Sequence, residues 1–161
     1  MGQVYLTGLQ AVTVSMTLSA TVESLLGHPR LVLLRFSGSA SAIWAGLARH
    51  GFLPVVNSFA SFLASRANEQ IYNQASEGSK VIYALHYAGL IPAGPGKSHQ
   101  SVRDISLLAA LPDMTIVQPA NAEETRALLR WAVEEADGNV AIRLAIGPSP
   151  RKIELGAGYT P

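Results

Sequence analysis

Short runs of consecutive hydrophobic residues alternate along this chain with longer stretches in which apolar residues recur at helical spacing. The apolar runs cover residues 30–36, 53–56, 80–87, 114–118 and 140–145. Polar residues do not alternate with apolar ones inside them, which is typical of strands that are buried on both faces of a sheet. Such strands, separated by helices, predict an α/β fold with three α/β/α layers and a mainly parallel sheet of about five strands.

Helical spacing between the strands predicts four helices. The first covers residues 40–50 and ends at Gly51, a residue suited to the left-handed conformation that often follows a helix. The second begins near Ser58, ends before Gly78, and places on one face Phe59, Leu63, Ala67 and Ile71. A third begins at residues 101–104. The last is capped by Asn121 and has an apolar stripe of Thr125, Leu128, Leu129, Ala132 and Val133.

The chain has the length and charge balance of a single domain. Its 161 residues carry 12 basic and 11 acidic side chains, so it lacks the excess positive charge that attracts nucleic acids or anionic membranes. Cysteine is absent, which excludes disulfides and fits the cytoplasm. Charged residues make up 14% of the chain, below the usual share of about 25%. We therefore expect part of the surface to be covered in a dimer or larger oligomer.

Residues 1–22 carry no charged side chain, since the first is Glu23, and such a stretch at the amino terminus is a candidate targeting segment. They lack the cationic start of a signal peptide, and polar residues interrupt their apolar ones throughout. The pattern favours a helix of a soluble protein over a signal peptide or a membrane span.

Several short motifs occur in a common order between residues 46 and 145. They include residues 45–48 (AGLA), 58–63 (SFASFL), 104–108 (DISLL), 111–115 (LPDMT), 118–124 (QPANAEE) and 141–143 (AIR). In order and spacing they resemble the pyrimidine-binding domain of the transketolase family, enzymes that use thiamine diphosphate. The resemblance implies a thiamine-diphosphate-binding fold, with the diphosphate and magnesium held by a different domain.

The resemblance also implies roles for five residues. Phe59 and Phe62 match the aromatic residues that contact the cofactor's aminopyrimidine, although packing in the core is the alternative for both. His86 matches a histidine that faces the substrate phosphate. The alternative is a histidine at the strand end whose hydrogen bonds are satisfied within the protein. His99 matches a catalytic histidine that contacts sugar hydroxyls and relays protons. Arg143 matches a phosphate-binding arginine, with a structural ion pair as the alternative.

A glycine- and proline-rich loop, residues 88–100, leads to His99 and is predicted to lie at the carboxyl end of the sheet. Its Gly-Lys-Ser triplet lacks the preceding glycine spacing of a phosphate-binding P-loop. Ala93 stands where many transketolases have an acidic residue. Further along, residues 137–139 (DGN) lack the other parts of the family's diphosphate motif and are predicted to form a turn.

One residue that the resemblance demands is missing. A glutamate beside the pyrimidine activates the cofactor in this family, and counting back in register puts Ser37 at its position. A hydroxyl cannot supply the carboxyl's charge, and loss of such proton-transfer help costs about a hundred- to ten-thousand-fold in rate. Neither Glu23 nor Glu69 is an obvious substitute. A segment near residues 34–40 is therefore expected to be shortened.

We interpret residues 1–161 as one transketolase-like pyrimidine-binding domain without a diphosphate-binding or carboxyl-terminal domain. The expected function is that of one component of a split transketolase, which transfers two-carbon ketol units between sugar phosphates and is inactive without its partner chain. The first alternative is a catalytically silent domain that lost the activating glutamate. A second is an unrelated flavodoxin-like ligand-binding domain.

Overall fold

The computed structural model of the protein describes residues 28–35, 41–91 and 96–146. Within these ranges the chain forms, in order, β1 (Leu31–Arg35), α1 (Ser41–Arg49), β2 (Leu53–Phe59), α2 (Ala60–Arg66), α3 (Asn68–Ser76), β3 (Ile82–Ala88), α4 (Asp104–Leu108), β4 (Met114–Val117), α5 (Ala122–Glu134) and β5 (Asn139–Ala145). The expectations for residues 1–27, for Ser37 and for Ala93 lie outside the described residues.

The five strands form one sheet in the order β1-β2-β3-β5-β4, and every neighbouring pair is parallel. β2 and β3 are aligned so that Val55 faces Ile82 at one end and Phe59 faces His86 at the other. All strands consequently end at the same edge, which we call the carboxyl edge. The predicted α/β fold with about five strands is confirmed, and the described sheet is entirely parallel.

Both faces of the sheet are covered, which explains the continuous apolar runs. On one face Leu129 of α5 packs in a core with Val55 and Ile82. On the other, helices α1 to α4 contribute a second core that includes Trp44, Leu63, Ile71 and Leu108. Full burial of a large apolar side chain contributes about 1.5–3 kcal/mol, so the two cores hold the three layers together.

The predicted second helix begins later than expected and divides in two. Phe59 has an extended backbone, with φ −61° and ψ 136°, and is the last residue of β2. Its parallel register with His86 continues the sheet past Ser58, where the helical spacing predicts a helix. Ala67 then separates α2 from α3 with φ −97° and ψ 5°. The stripe of Leu63, Ala67 and Ile71 is nevertheless buried as predicted.

Two predicted helix ends are confirmed. Gly51 follows α1 with φ +83°, a conformation that glycine adopts without the steric cost of a side chain. At the start of α5, the side-chain oxygen of Asn121 accepts hydrogen bonds from the backbone N–H groups of Glu123 and Glu124, both at 2.9 Å. The predicted stripe of this helix is buried.

A buried polar network lies near the amino ends of β3 and β5; we call it the amino-edge network. Gln74 donates to Oδ1 of Asn139 at 3.1 Å and to Oγ of Ser79 at 3.0 Å, and it accepts the hydroxyl of Tyr83 at 2.6 Å. Oδ1 of Asn139 also accepts the N–H of Val81 at 3.0 Å. These bonds join α3 to two strands.

No helix within the described ranges combines the length and apolar character needed to cross a membrane.

Candidate functional site

The carboxyl edge brings together residues from β2 and β3. β2 ends at Phe59, and its register partner His86 is followed on β3 by Tyr87 and Ala88. Open α/β sheets bind ligands outside the carboxyl ends of their strands. These residues therefore lie at the end of the sheet where such folds bind ligands, which makes this end the candidate site.

Four rings form an aromatic cluster at this edge: Phe59, Phe62, Tyr87 and His99. The centroid of Phe59 lies 5.4 Å from Phe62, 5.0 Å from Tyr87 and 5.1 Å from His99. The rings of Phe62 and His99 are 4.9 Å apart. All these contacts have an edge-to-face arrangement, the geometry that aromatic quadrupoles favour. Phe59 is the centre of the cluster because it contacts the other three rings.

The aromatic cluster suits a flat heteroaromatic ligand. Each of its four rings is partly buried, so the cluster combines packing with surface that remains open. A heteroaromatic ring placed there would gain ring contacts and lose water from its faces. Partial burial also raises the pKa of the Tyr87 hydroxyl.

Tyr87 is a site residue that sequence reasoning missed. Its φ is +59°, and the pairing of β3 with β5 shifts between His86 and Ala88. A bulky residue in this region stores strain, at a cost on the order of 1–3 kcal/mol, and such strain concentrates at functional sites. An aromatic residue after a strand-end histidine and two positions before Gly89 was the available signal.

His99 is held by a turn and by the edge of β3. Its N–H donates to the carbonyl of Gly96 at 3.0 Å, and Gly96 has φ +77°. Oγ of Ser98 lies 2.9 Å from Nδ1 of His99. If that hydroxyl donates, Nε2 of the neutral imidazole carries the proton and can donate it to a ligand. The Gly-Lys-Ser triplet therefore belongs to a tight turn that positions His99.

The segment that carries His99 is anchored at both ends. Gly89 and Ser101 exchange two backbone hydrogen bonds, of 3.1 and 2.8 Å. Nε2 of Gln100 adds a bond of 3.1 Å to the carbonyl of Leu90. These bonds fix the position of His99 relative to the end of β3.

Arg143 forms a structural ion pair, the alternative to phosphate binding that the sequence leaves open. Its Nε donates to Oδ2 of Asp104 at 2.7 Å and its Nη2 to Oδ1 at 3.2 Å. Its Nη1 donates to the side-chain oxygen of Gln118. Arg143 and Asp104 are 9% and 2% exposed, so this bidentate pair is buried between β5 and α4. The phosphate-binding assignment of Arg143 stays a prediction.

The turn predicted at residues 137–139 is confirmed only as a bend at Gly138, because Asn139 is already the first residue of β5. A side chain at Gly138 would place its Cβ 2.7 Å from the carbonyl oxygen of Asp113, so glycine is required by close approach. Asn139 belongs to the amino-edge network, at the far end of the sheet from His99. In the part of the chain that the structure describes, no three His, Cys, Asp or Glu side chains gather as metal ligands would.

The predicted site residues therefore divide into three groups. Phe59, Phe62 and His99 are in mutual ring contact. His86 shares the carboxyl edge with them through its register with Phe59. Arg143 is committed to Asp104 and Gln118.

Comparisons with known proteins match most of this chain to one family of domains. The family model described as "Transketolase, pyrimidine binding domain" matches residues 38–146. A 1-deoxy-D-xylulose-5-phosphate synthase of Porphyromonas gingivalis is 33% identical over 129 residues, which cover 75% of this chain and 20% of the relative. Its namesake in Treponema pallidum is 40% identical over 99 residues, covering 62% and 15%. The chain thus spans a fifth or less of the length of these curated relatives.

Solved structures give the same result. One described as a split-gene transketolase, an inactive beta4 tetramer, has a TM-score of 0.74 and 29% identity, and the match covers 92% of this chain and 56% of that one. A transketolase from Leishmania mexicana, with a TM-score of 0.69 and 18% identity, shares the fold over 83% of this chain and 25% of its own. With the family model matching more than half of its length, this chain belongs to the transketolase pyrimidine-binding domain family of thiamine-diphosphate-dependent enzymes.

Proposed function

We propose that this chain is the pyrimidine-binding component of a split, transketolase-like transferase. A partner chain supplies the diphosphate-binding domain and the magnesium, and the assembled enzyme transfers two-carbon ketol units between sugar phosphates. The aromatic cluster is the observation that carries the proposal, since it gathers Phe59, Phe62 and His99 at the ligand-binding edge of the sheet.

In this proposal each group of the site has a role. Phe59 and Phe62 hold the aminopyrimidine of the cofactor by ring contact, with Tyr87 as a further wall. When bound, the cofactor supplies a thiazolium carbon that becomes a nucleophile once its proton is removed. His99 orients a sugar hydroxyl and accepts or returns a proton at its ring nitrogen. His86 and Arg143 receive the substrate phosphate, for which Arg143 must share its donors with Asp104.

The surface beside the site supports a partner chain. Four large apolar side chains near the anchored segment are more than half exposed: Leu90, Ile91, Val102 and Ile105. The backbone bonds between Gly89 and Ser101 hold two of them, Leu90 and Val102, next to the same junction. Exposed apolar patches of this kind commonly mark interfaces between proteins. A structural neighbour described as a tetramer of a split-gene transketolase agrees with an assembly of chains.

Ser37 limits what the chain can do in this proposal. The family resemblance implies that Ser37 stands at the position of the activating glutamate, and a serine hydroxyl does not supply the negative charge of a carboxylate. The chain is therefore inactive alone and depends on another component for this acid.

Calorimetry of thiamine diphosphate and magnesium with the chain and its diphosphate-binding partner tests the proposal. We expect cofactor-dependent heat, and about tenfold weaker binding for Phe59→Ala because ring contacts are lost. Phe52→Ala is the matched control, since Phe52 is exposed before β2 and away from the carboxyl edge. No heat with the partner present, or equal weakening by both variants, would refute the cofactor role.

The second candidate is a silent domain that keeps the fold and the interface, and the register of Ser37 favours it. Ser37→Glu distinguishes the two candidates in an assay with the partner chain. Substantial activity of the unmodified pair excludes the silent domain. Activity that appears only with Ser37→Glu supports an intact pocket that lacks its acid.

The substrate requires a separate test because the curated relatives are named for 1-deoxy-D-xylulose-5-phosphate synthesis. Mass spectrometry of the products of the assembled enzyme separates the two reactions. Products of two-carbon transfer between sugar phosphates would support our proposal. Formation of 1-deoxy-D-xylulose 5-phosphate would refute it in favour of the activity for which the relatives are named.

A further inference from the structure

A small cavity of about 190 Å³ adjoins the aromatic cluster, with Phe62 as a shared wall. It lies between α2 and the segment that follows His99. Three cationic side chains line it: Arg66, Lys97 and Arg103. A cavity lined by three positive charges is suited to an anionic ligand.

The positive charges of the cavity are not neutralised by carboxylates. In the described part of the chain, the salt bridges join Arg49 to Glu77 and Arg143 to Asp104. Asp104 also lines the cavity, but its two oxygens already accept from Arg143. Within the described residues, these three exposed cations therefore have no carboxylate partner and are available to a bound anion.

The two arginines present donors without strong partners. Cζ of Arg66 lies 4.1 Å from the centroid of the Phe62 ring, a stacked position that leaves the edge of the guanidinium free for a second ligand. Nη2 of Arg103 is 3.4 Å from Oγ of Ser65, which is at the long limit of a hydrogen bond. A guanidinium has five N–H donors, so most of those of Arg103 are available to an oxyanion.

An independent observation comes from two buried hydroxyls that line the same cavity. Oγ of Ser61 and Oγ of Ser101 have no hydrogen-bond partner within the described residues. Ser101 is 3% exposed, and its backbone is fixed by the two hydrogen bonds to Gly89. Buried polar atoms are nearly always satisfied, so two unpartnered hydroxyls in a cavity lined by cations favour a ligand with acceptor oxygens.

We propose that this cavity is a second binding site, which takes a phosphate-like oxyanion: inorganic phosphate or the phosphoryl group of a phosphate ester. Arg66, Arg103 and Lys97 neutralise its charge, and the hydroxyls of Ser61 and Ser101 donate to its oxygens. The site shares Phe62 as a wall with the rings assigned to the cofactor, but none of its five anion-binding residues has a role in the proposed transferase site. It does not depend on the proposed transferase activity.

Titration of the full chain with inorganic phosphate, followed by ¹H–¹⁵N NMR at constant ionic strength, tests the site. We expect saturable shifts of the Ser101 and Arg103 signals with a dissociation constant on the order of 1 mM. Chloride and acetate at equal ionic strength should give much smaller shifts, because neither matches the tetrahedral arrangement of oxygens. Glycerol phosphate, titrated in parallel, assigns the source of the anion, since the tighter of the two is the preferred ligand.

Variants localise the binding. Arg103→Gln should weaken phosphate binding about tenfold, and Ser101→Ala about threefold, because a charged donor contributes more than a hydroxyl. Lys97→Gln, at an exposed position that cannot disturb the core, should also weaken it. Arg130→Gln on the exposed side of α5 is the matched control and should leave it unchanged.

Two results would overturn the proposal. One is the absence of saturable shifts at phosphate concentrations well above the expected dissociation constant; a carboxylate from another chain would then be the better partner for these cations. The other is equal weakening by Arg130→Gln and Arg103→Gln, which would mean attraction by surface charge alone. The titration contains no thiamine diphosphate, so its result does not depend on whether the chain binds that cofactor.

Discussion

At the amino ends of the strands, Gln74 of α3 donates to Asn139 and accepts from Tyr83 of β3, and Asn139 also accepts from the N–H of Val81. At the carboxyl edge, Ser61 and Ser101 keep buried hydroxyls that no described residue satisfies, and Tyr87 holds a strained backbone. The polar groups of the amino-edge network stabilise the fold. The unpartnered hydroxyls at the carboxyl edge do not, and they are the groups for which we propose a ligand.

The amino edge should be the more sensitive to mutation. Asn139→Ala removes the acceptor of both Val81 N–H and Gln74, and we expect the free energy of unfolding to fall by about 3 kcal/mol. Urea denaturation measures the change. Asn68→Ala is the control, because Asn68 donates one bond of 3.3 Å to the carbonyl of Leu107 and should cost about 1 kcal/mol. Equal losses in the two variants would contradict the structural role of the network.

Tyr83→Phe leaves the side-chain oxygen of Gln74 unsatisfied, with an expected loss of about 1–2 kcal/mol. It should also change the dependence of stability on pH. Burial raises the pKa of Tyr83 far above its ordinary value of 10.0, so above about pH 10 the unfolded chain releases a proton that the folded chain keeps. Stability then falls as the pH rises, and the variant should lose this part of the slope.

Lys80 and Tyr87 define the background for that measurement. Burial lowers the pKa of Lys80 from 10.5, so between the lowered value and 10.5 the unfolded chain binds more protons and stability rises with pH. The raised pKa of Tyr87 acts in the same direction as that of Tyr83. Both effects are present in wild type and in Tyr83→Phe, so the difference between their slopes isolates Tyr83. If the stabilities of wild type and Tyr83→Phe changed equally with pH above pH 10, the phenol of Tyr83 would not be buried as described.

Much of the fold follows from sequence because the cores use repeating local patterns. The buried stripe of α5 is predicted from helical spacing, its cap from the residue type of Asn121, and all five strands from continuous apolar runs. The end of β2 is not, since Ser58 and Phe59 fit helical spacing and only pairing with β3 extends the strand. Local spacing carries no information about a partner strand that is almost 30 residues away in the chain.

The candidate site was predictable only in part, for the same reason. Phe59, Phe62 and His99 follow from motif order, and their ring contacts agree with it. The partner of Arg143 was not predicted, because Asp104 lies 39 residues away and reads locally as the start of a helix. The cavity hydroxyls of Ser61 and Ser101 have no sequence signature at all, since burial without a partner exists only in three dimensions.

Phe62→Leu tests the carboxyl edge with a smaller expected effect. It keeps apolar volume but removes the ring contacts with His99 and Phe59 and the stacked Arg66, and we expect a loss of about 1 kcal/mol. Differential scanning fluorimetry alongside Phe52→Leu, an exposed control, measures it. A loss as large as that of Asn139→Ala would mean that the aromatic cluster is a structural core.

Ser101→Ala should have the smallest effect. Its hydroxyl has no partner, so removing it should change the free energy of unfolding by less than about 0.5 kcal/mol, in either direction. Urea denaturation in phosphate-free buffer is the measurement. A loss above 1–2 kcal/mol, the range of a satisfied buried hydrogen bond, would show that the hydroxyl is bonded and would erase the contrast between the two edges.

The paired backbone bonds between Gly89 and Ser101 have a consequence for how this domain can change over evolution. They close the segment that carries His99 at its base, so its interior can gain or lose residues without disturbing the strands. Doubling the length of a closed loop costs only about 0.6 kcal/mol. Insertions and deletions at this single place can therefore change the surroundings of His99 while the scaffold stays intact, which gives one fold a route to new ligands.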